Sequence, residues 1–481
     1  MVSVALAAPA AAADHYVDGA ASGSGDGRSW ATAWRGFAQI DWRLVRPGDT
    51  VHVSGGTNGR TYRETLTVGA SGTASQPIVI QPAVAAGHAG GVMIDAENSR
   101  SNGVIVNSRN HIIVRNFTVR NVGDSGVRVR SASAGVVIEG MTVDAGNPNG
   151  TGNARGYDVR NSRGVVIRDN SYTTPTSSTA QNDGIYSSGN DGVRFEGNRL
   201  VISNSYTGSR QGHNDCFQSY QDMNIEVIRN YCEQRNTKTG HSLGIFVQNI
   251  GGTAQVQNNV VVSPNTNSSC IVVENLAGTS TSGRMLAYNN TAYGCAYGTM
   301  FIGRSPGTVA RNNILVSPKA NAHALKVVRP EPAAGNLNHN LLFTPNSTKP
   351  VMLDGVGQQT WSQWRSRGYE QNGLNVDPAL VDPAKGDVSL RAGSPAIDRG
   401  VTIAAIQSDK VGTSRPQGAA YDIGAYEYSG GGASTPTSTT LDTTTGSGAT
   451  SMPGTTTTTT DTTTTTIATS TKSRGRWWRR R

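Results

Sequence analysis

The phrase Ile167-Arg168-Asp169-Asn170 returns 28 residues later as Phe195-Glu196-Gly197-Asn198: an apolar residue, two mostly polar ones, then asparagine. It recurs at Val227 to Asn230, Val256 to Asn259, Ala287 to Asn290, Ala310 to Asn313 and Leu337 to Asn340, so successive asparagines stand 28, 32, 29, 31, 23 and 27 residues apart. Phe117 and Met141 hold the asparagine place in two earlier copies. A period of roughly 20 to 35 residues marks a solenoid or propeller, in which no unit buries its own apolar face and each stacks on the next.

Within each unit the alternation has a period of two, as in Val127 and Val129, Ile185 and Ser187, Phe217 and Ser219, Ile245 and Val247, Ile271 and Val273, and Leu325 and Val327. That is the pattern of strands. A propeller needs blades of regular size to close, whereas a coil tolerates insertions as loops, so the variable unit length favours a coil. Stacked coils place equivalent residues about 4.8 Å apart. An inward asparagine at a sharp turn can then donate to the next asparagine and to turn carbonyls, which predicts a structural ladder rather than a functional row.

With these repeats the chain resembles the right-handed parallel β-helix proteins, the architecture of pectate lyases, chondroitinase B and alginate lyases. Tyr16-Val17-Asp18-Gly19, Ser29-Trp30-Ala31-Thr32-Ala33-Trp34 and Arg46-Pro47-Gly48-Asp49-Thr50-Val51-His52-Val53 are similar to the N-terminal cap of secreted bacterial members. Val376-Asp377-Pro378, Gly393-Ser394-Pro395-Ala396-Ile397-Asp398 and Asp422-Ile423-Gly424-Ala425-Tyr426-Glu427 are similar to their end segments. The resemblance implies an all-β, right-handed parallel β-helix (a solenoid). Trp34, Phe37, Ile40 and Leu44 recur every three or four residues, which predicts an amphipathic helix over 33–45 lying on the first coil as a helical cap.

The expected organisation is a leader over 1–13, cap and first coils over 14–95, repeat coils over 96–345, a C-terminal extension over 346–429, and a disordered Thr-rich linker with a basic tail over 430–481. The leader ends in Ala11-Ala12-Ala13 before Asp14 and reads as the end of a signal peptide, so the expected location is secreted or cell-surface. The four cysteines, Cys216, Cys232, Cys270 and Cys295, lack CxxC spacing, which argues against zinc and redox motifs. Cys270 with Cys295 is the pairing the repeat register favours; four buried thiols are the alternative.

The 481 residues include 58 Gly, and only 16% are charged. No apolar run approaches the roughly 20 residues needed to cross a bilayer, so no transmembrane segment is expected. Of the net charge of +9, the tail over 430–481 carries +4, leaving a mildly basic body. That suits an acidic polysaccharide, and without a basic helix or zinc spacing no nucleic acid is expected as partner. The chain is expected to act as a monomer.

In a coil, side chains pointing out of one sheet form parallel columns suited to a polymer. Taking the strand that follows each loop, one outward column reads Arg128, Arg160, Tyr186, Gln218, Phe246, Val272, Met300 and Lys326, and beside it run Ser188, Tyr220, Gln248, Glu274 and Ile302. The expected substrate-binding residues are Arg160, Tyr186, Arg210, Gln218, Tyr220 and Gln248. The segments leading into three consecutive strands carry Asp183, then Arg210, His213 and Asp215, then Arg235, Lys238 and His241.

Two chemistries suit this set. β-Elimination on a uronate needs a base for the proton beside the carboxylate and a cation to neutralise that carboxylate. Lys238 is the expected base, His241 or His213 the acid or neutraliser, Arg235 an assistant, and Asp183 and Asp215 possible calcium ligands. The resemblance implies a lysine or arginine base on this sheet face. Hydrolysis by paired carboxylates is the rival. Polygalacturonase-like members carry Asn-Thr-Asp, Asp-Asp and Gly-His-Gly, whereas this chain has only Asn182-Asp183-Gly184 and Gly212-His213-Asn214-Asp215. A uronate C5-epimerase, or a non-catalytic carbohydrate-binding or attachment protein, would use the same face. Asp183 and Asp215 equally suit turn capping.

Overall fold

The computed structural model describes residues 11–22, 25–132, 134–144, 154–174, 182–203, 214–235, 242–263, 269–276, 283–295 and 297–430. Three sheets of 12, 11 and 12 strands run along a parallel β-helix. One coil shows the construction: Ile112–Arg115 lies in the first sheet, Thr118–Arg120 in the second and Ser125–Arg130 in the third. The chain then returns as Val136–Glu139, whose Ile138 pairs in parallel with Val114. Among the described residues no helix is long and apolar enough to cross a membrane.

The predicted alternation holds: Val127, Val129, Ile185, Ser187, Phe217, Ser219, Ile245, Val247, Ile271, Val273, Leu325 and Val327 are all buried. The repeat phrase closes the first sheet. Its apolar residue fills the core, the next-to-last residue adopts a left-handed backbone at Asp169, Gly197, Arg229, Asn258, Asn289, Asn312 and His339, and the asparagine turns inward. Each asparagine Nδ2 donates to the Oδ1 of the next coil's asparagine, from Asn170 through Asn198, Asn230, Asn259, Asn290 and Asn313 to Asn340, at 2.8–3.0 Å. The same Oδ1 accepts the preceding coil's backbone N–H, so buried polar groups are satisfied in pairs.

A second inward position needs the smallest side chains. A Cβ on Gly126 would stand 2.4 Å from Val143 Cγ1, and one on Gly244 2.4 Å from Val261 Cγ1, because the third sheet closes here on the second. In this column, between Gly184 and Gly244 and again after Gly244, the chain places Cys216 and Cys270. They bond to Cys232 and Cys295, so the collision becomes a covalent link. The expected Cys270–Cys295 pairing forms, and Cys216–Cys232 forms with it.

The cap covers the first coil with Trp34, Phe37 and Ile40 as the spacing predicts, but not through a helix over 33–45. Only a 3-10 turn over Phe37–Gln39 forms. Gly36 before it is extended, and the Asp41 carboxylate accepts the Arg43 N–H, a local bond that competes with continuing a helix.

At the other end, a short helix Trp361–Ser366 is closed by a Thr360–Gln363 capping box. The chain then runs back over the outer face of the second sheet, where Val260, Val262, Ile314, Val316 and Leu341 form a separate core with Leu380, Val388, Leu390, Ala396, Ile423 and Ala425. The outward asparagines of three repeat phrases hold it. Asn258 donates to Ser408 O at 2.9 Å, Asn289 to Asp422 O at 3.1 Å and Asn312 to Val401 O at 2.7 Å. The basic Thr-rich tail over 431–481 and the leader over 1–10 lie outside the described residues.

Candidate substrate face of the third sheet

The outer faces of the three sheets differ. The first carries ion pairs that cross coils, such as Arg168 with Glu139 and Arg194 with Glu226 at 2.6 Å. The second is covered by the C-terminal extension from Tyr231 onward. The third presents polar and aromatic columns, and the register defines them. Arg128, Asp158, Tyr186, Gln218, Phe246, Val272, Phe301 and Lys326 are aligned partners in one column. Arg130, Arg160, Ser188, Tyr220, Gln248, Glu274 and Gly303 are aligned in the next.

Three expected positions are corrected by this register. Arg160 stands beside Arg130 and Ser188, two residues from its predicted column, because Ala154–Arg160 extends further before its turn than the sequence spacing implies. Met300 and Ile302 are fully buried, and Phe301 and Gly303 take the outward places. A one-residue slip exchanges the two faces of a strand.

Tyr186, Gln218, Tyr220 and Gln248 are half-buried on this face. Tyr186 lies against two cations, with the guanidinium carbons of Arg155 and Arg160 each 4.7 Å from its ring centre. Around it, Arg155 pairs with Asp124 at 3.2 Å, Arg128 pairs with Asp124, and Arg160 and Arg130 pair with Asp158 at 2.6 and 2.7 Å. Arg130, Arg155, Asp124 and Asp158 were missed by the sequence reading. For Arg130 the signal was the strict alternation in Val127-Arg128-Val129-Arg130, where arginine takes every outward place of a strand.

Asp183 and Asp215 are one coil apart and buried at the turn into the third sheet. Asp183 Oδ1 accepts the Asp215 N–H at 3.2 Å, Asp215 Oδ1 accepts the Leu243 N–H at 2.9 Å, and Asp183 Oδ2 is 3.9 Å from Arg155. Each carboxylate thus gives one oxygen to a backbone N–H of the next coil. Among the described residues no group of three His, Cys, Asp or Glu side chains converges as metal ligands would.

Arg235 sits just past the strand Tyr231–Gln234 of the second sheet and is gripped by Glu233, Nε to Oε1 at 2.5 Å and Nη2 to Oε2 at 2.9 Å. That hydrogen-bonded carboxylate raises its pKa further. Its guanidinium therefore joins Glu233 and Arg199 rather than the cluster around Tyr186. Arg210, His213, Lys238 and His241 lie outside the described residues; they belong to the segments that join the second sheet to the third. Further along, burial raises the pKa of Glu274, and Lys326 lies over the Phe301 ring at 5.2 Å.

No family model matches the chain, and no curated protein matches it. Solved structures with a similar course include pectate lyase Pel9A, at 16% identity over 86% of this chain and 96% of that one, with a TM-score of 0.47. Another is XylC in complex with xylose, at 10% identity over 86% and 98%, with a TM-score of 0.48. An alginate lyase from Paenibacillus sp. str. FPU-7 is 12% identical over 69% and 94%, with a TM-score of 0.28. At these identities the likeness concerns the fold.

Proposed function

We propose that this chain is an exported polysaccharide lyase that lays a uronic-acid polymer along the outer face of the third sheet and cleaves it by β-elimination. The observation that carries the reading is the third-sheet face itself: the arginines around Tyr186 continue into Gln218, Tyr220 and Gln248, all partly exposed. Guanidinium groups neutralise and orient carboxylates in bidentate fashion, which suits a polyuronate. Two disulfides suit an oxidising, extracellular setting.

In this reading Lys238 takes the proton from the carbon beside the uronate carboxylate, and His241 or His213 protonates the departing glycosidic oxygen. The electron pair of the broken C–H bond becomes the new C=C bond as the C–O bond to the leaving sugar breaks. A cationic side chain stabilises the enolate that develops.

The test is ultraviolet absorbance of unsaturated uronate ends, measured with the full chain on pectate, alginate, hyaluronan and chondroitin, each with and without calcium. A rise on one polymer that Lys238→Ala abolishes supports elimination. If neither absorbance nor new reducing ends appear on any of them, the lyase reading fails and a carbohydrate-binding or attachment role takes its place.

A further inference from the structure

On the third-sheet face, Asp158 has no exposed surface and lies among three guanidinium groups. Its Oδ1 accepts from Arg160 Nε at 2.6 Å, its Oδ2 accepts from Arg130 Nη2 at 2.7 Å, and Arg128 Nε stands 3.7 Å from Oδ2. The side chains of Arg130 and Arg160 remain 34% and 29% exposed, so the carboxylate is hidden while the cations face outward. An arginine carries five N–H donors. Among the described residues, both terminal nitrogens of Arg160 and Nη1 of Arg130 form no hydrogen bond, while Tyr186 packs on the Arg160 guanidinium. Two forks are thus held by one buried acid and one ring, with donors left over.

We infer that Arg130 and Arg160, positioned by Asp158 and Tyr186, form a built subsite for the oxyanion of an acidic sugar, either a carboxylate or a sulfate ester. The inference rests on the reading of this face as the groove for an acidic polysaccharide. Counting aligned strands from Asp158 through Tyr186 and Gln218 to Phe246, the subsite lies about 14 Å along the helix from the strand that follows Lys238. In the proposed reading it holds a charged sugar and sets affinity and minimum chain length rather than the rate of proton transfer. Asp158 acts as a positioning residue, because it reaches the ligand only through the arginines.

The test is affinity electrophoresis of the full chain in gels containing polygalacturonate, which has carboxylates only, dextran sulfate, which has sulfates only, or neutral dextran. The expected result is retardation by one anionic polymer and not by dextran, weakened tenfold or more in the Arg130→Ala/Arg160→Ala double variant. Asp158→Asn is expected to weaken it severalfold, and Arg130→Lys/Arg160→Lys, which keeps charge and loses the fork, to restore only part of it. Thermal melting of each variant separates misfolding from lost binding. Retardation of the folded double variant equal to that of the unaltered chain, or equal retardation by dextran, overturns the subsite. If no polymer is cleaved but the double variant still loses binding, the subsite stands and the lyase reading falls. If cleavage proceeds with unchanged KM in the double variant, the subsite falls alone.

Discussion

Glu370 ends the asparagine ladder by accepting both amides of Asn340: the side-chain Nδ2 donates to Oε1 at 2.7 Å and the backbone N–H to Oε2 at 3.0 Å. It lies one coil beyond the last asparagine and is buried, so the terminal donors of a ladder seven asparagines long meet a carboxyl group instead of water. Burial pushes its pKa up to about 7, against the pull of the two Asn340 hydrogen bonds.

Stability should fall as pH rises because of that group. Its folded pKa exceeds the ordinary glutamate value of 4.5, so the folded state holds a proton between those values that the unfolded chain has released. The contribution is complete below about pH 4.5 and lost as pH rises through about 7, a change on the order of 3 kcal/mol. Asp222, pushed up to about 6 by burial, works in the same direction. Melting temperatures between pH 4 and 8 check this, and Glu370→Gln should flatten the slope while leaving the Asp222 share.

Within the ladder, Asn259→Ala should destabilise the chain by on the order of 3 kcal/mol. Asn259 donates to Val227 O at 2.7 Å and accepts from both Asn230 amides at 2.9 and 3.0 Å; alanine removes all three bonds inside the core, and Asn230 Nδ2 keeps only its bond to Phe195 O at 3.0 Å. Denaturant unfolding measures the loss. A cost under about 1 kcal/mol would mean that the coil relaxes enough to pair them elsewhere.

The outward asparagines predict a separable event. Replacing Asn258, Asn289 and Asn312 together by glycine keeps the left-handed backbone and removes the bonds to Ser408, Asp422 and Val401. Limited proteolysis should then cut within 376–428 while the β-sheet circular dichroism of the coils persists. Equal protease resistance would assign the docking to the apolar contacts of Ile314, Leu341 and their partners instead.

Each disulfide closes a short loop, with sequence separations of 16 for Cys216–Cys232 and 25 for Cys270–Cys295, worth roughly 3 kcal/mol apiece. Cys216→Gly should fold, because glycine occupies the aligned place at Gly184 and Gly244, whereas Cys216→Val should not. Melting of the two variants under oxidising conditions distinguishes them; comparable stability would contradict the crowding at this column.

The repeat phrase by itself determined the coil, the inward ladder and the alternation of buried residues. Each of these depends on local chemistry repeated at a fixed period: an apolar knob, a left-handed turn residue and a side-chain amide that bonds its own copy in the next coil. The amphipathic spacing of Trp34, Phe37 and Ile40 likewise announced which residues cover the first coil, although Gly36 and Asp41 denied them a helix.

Only the tertiary structure decided which residues share the substrate face. Strand lengths differ between coils, so counting along the chain misplaced Arg160 by two positions and put Met300 and Ile302 outside. The partnership of Asp158 with Arg130 and Arg160, the cations around Tyr186 and the capture of Arg235 by Glu233 arise from register and from burial of charge between strands. The second role of the Asn-Asn pairs depends on a segment 89 to 150 residues away folding back onto them. A residue's type and spacing state what it can bond; the stacked fold determines what comes within reach.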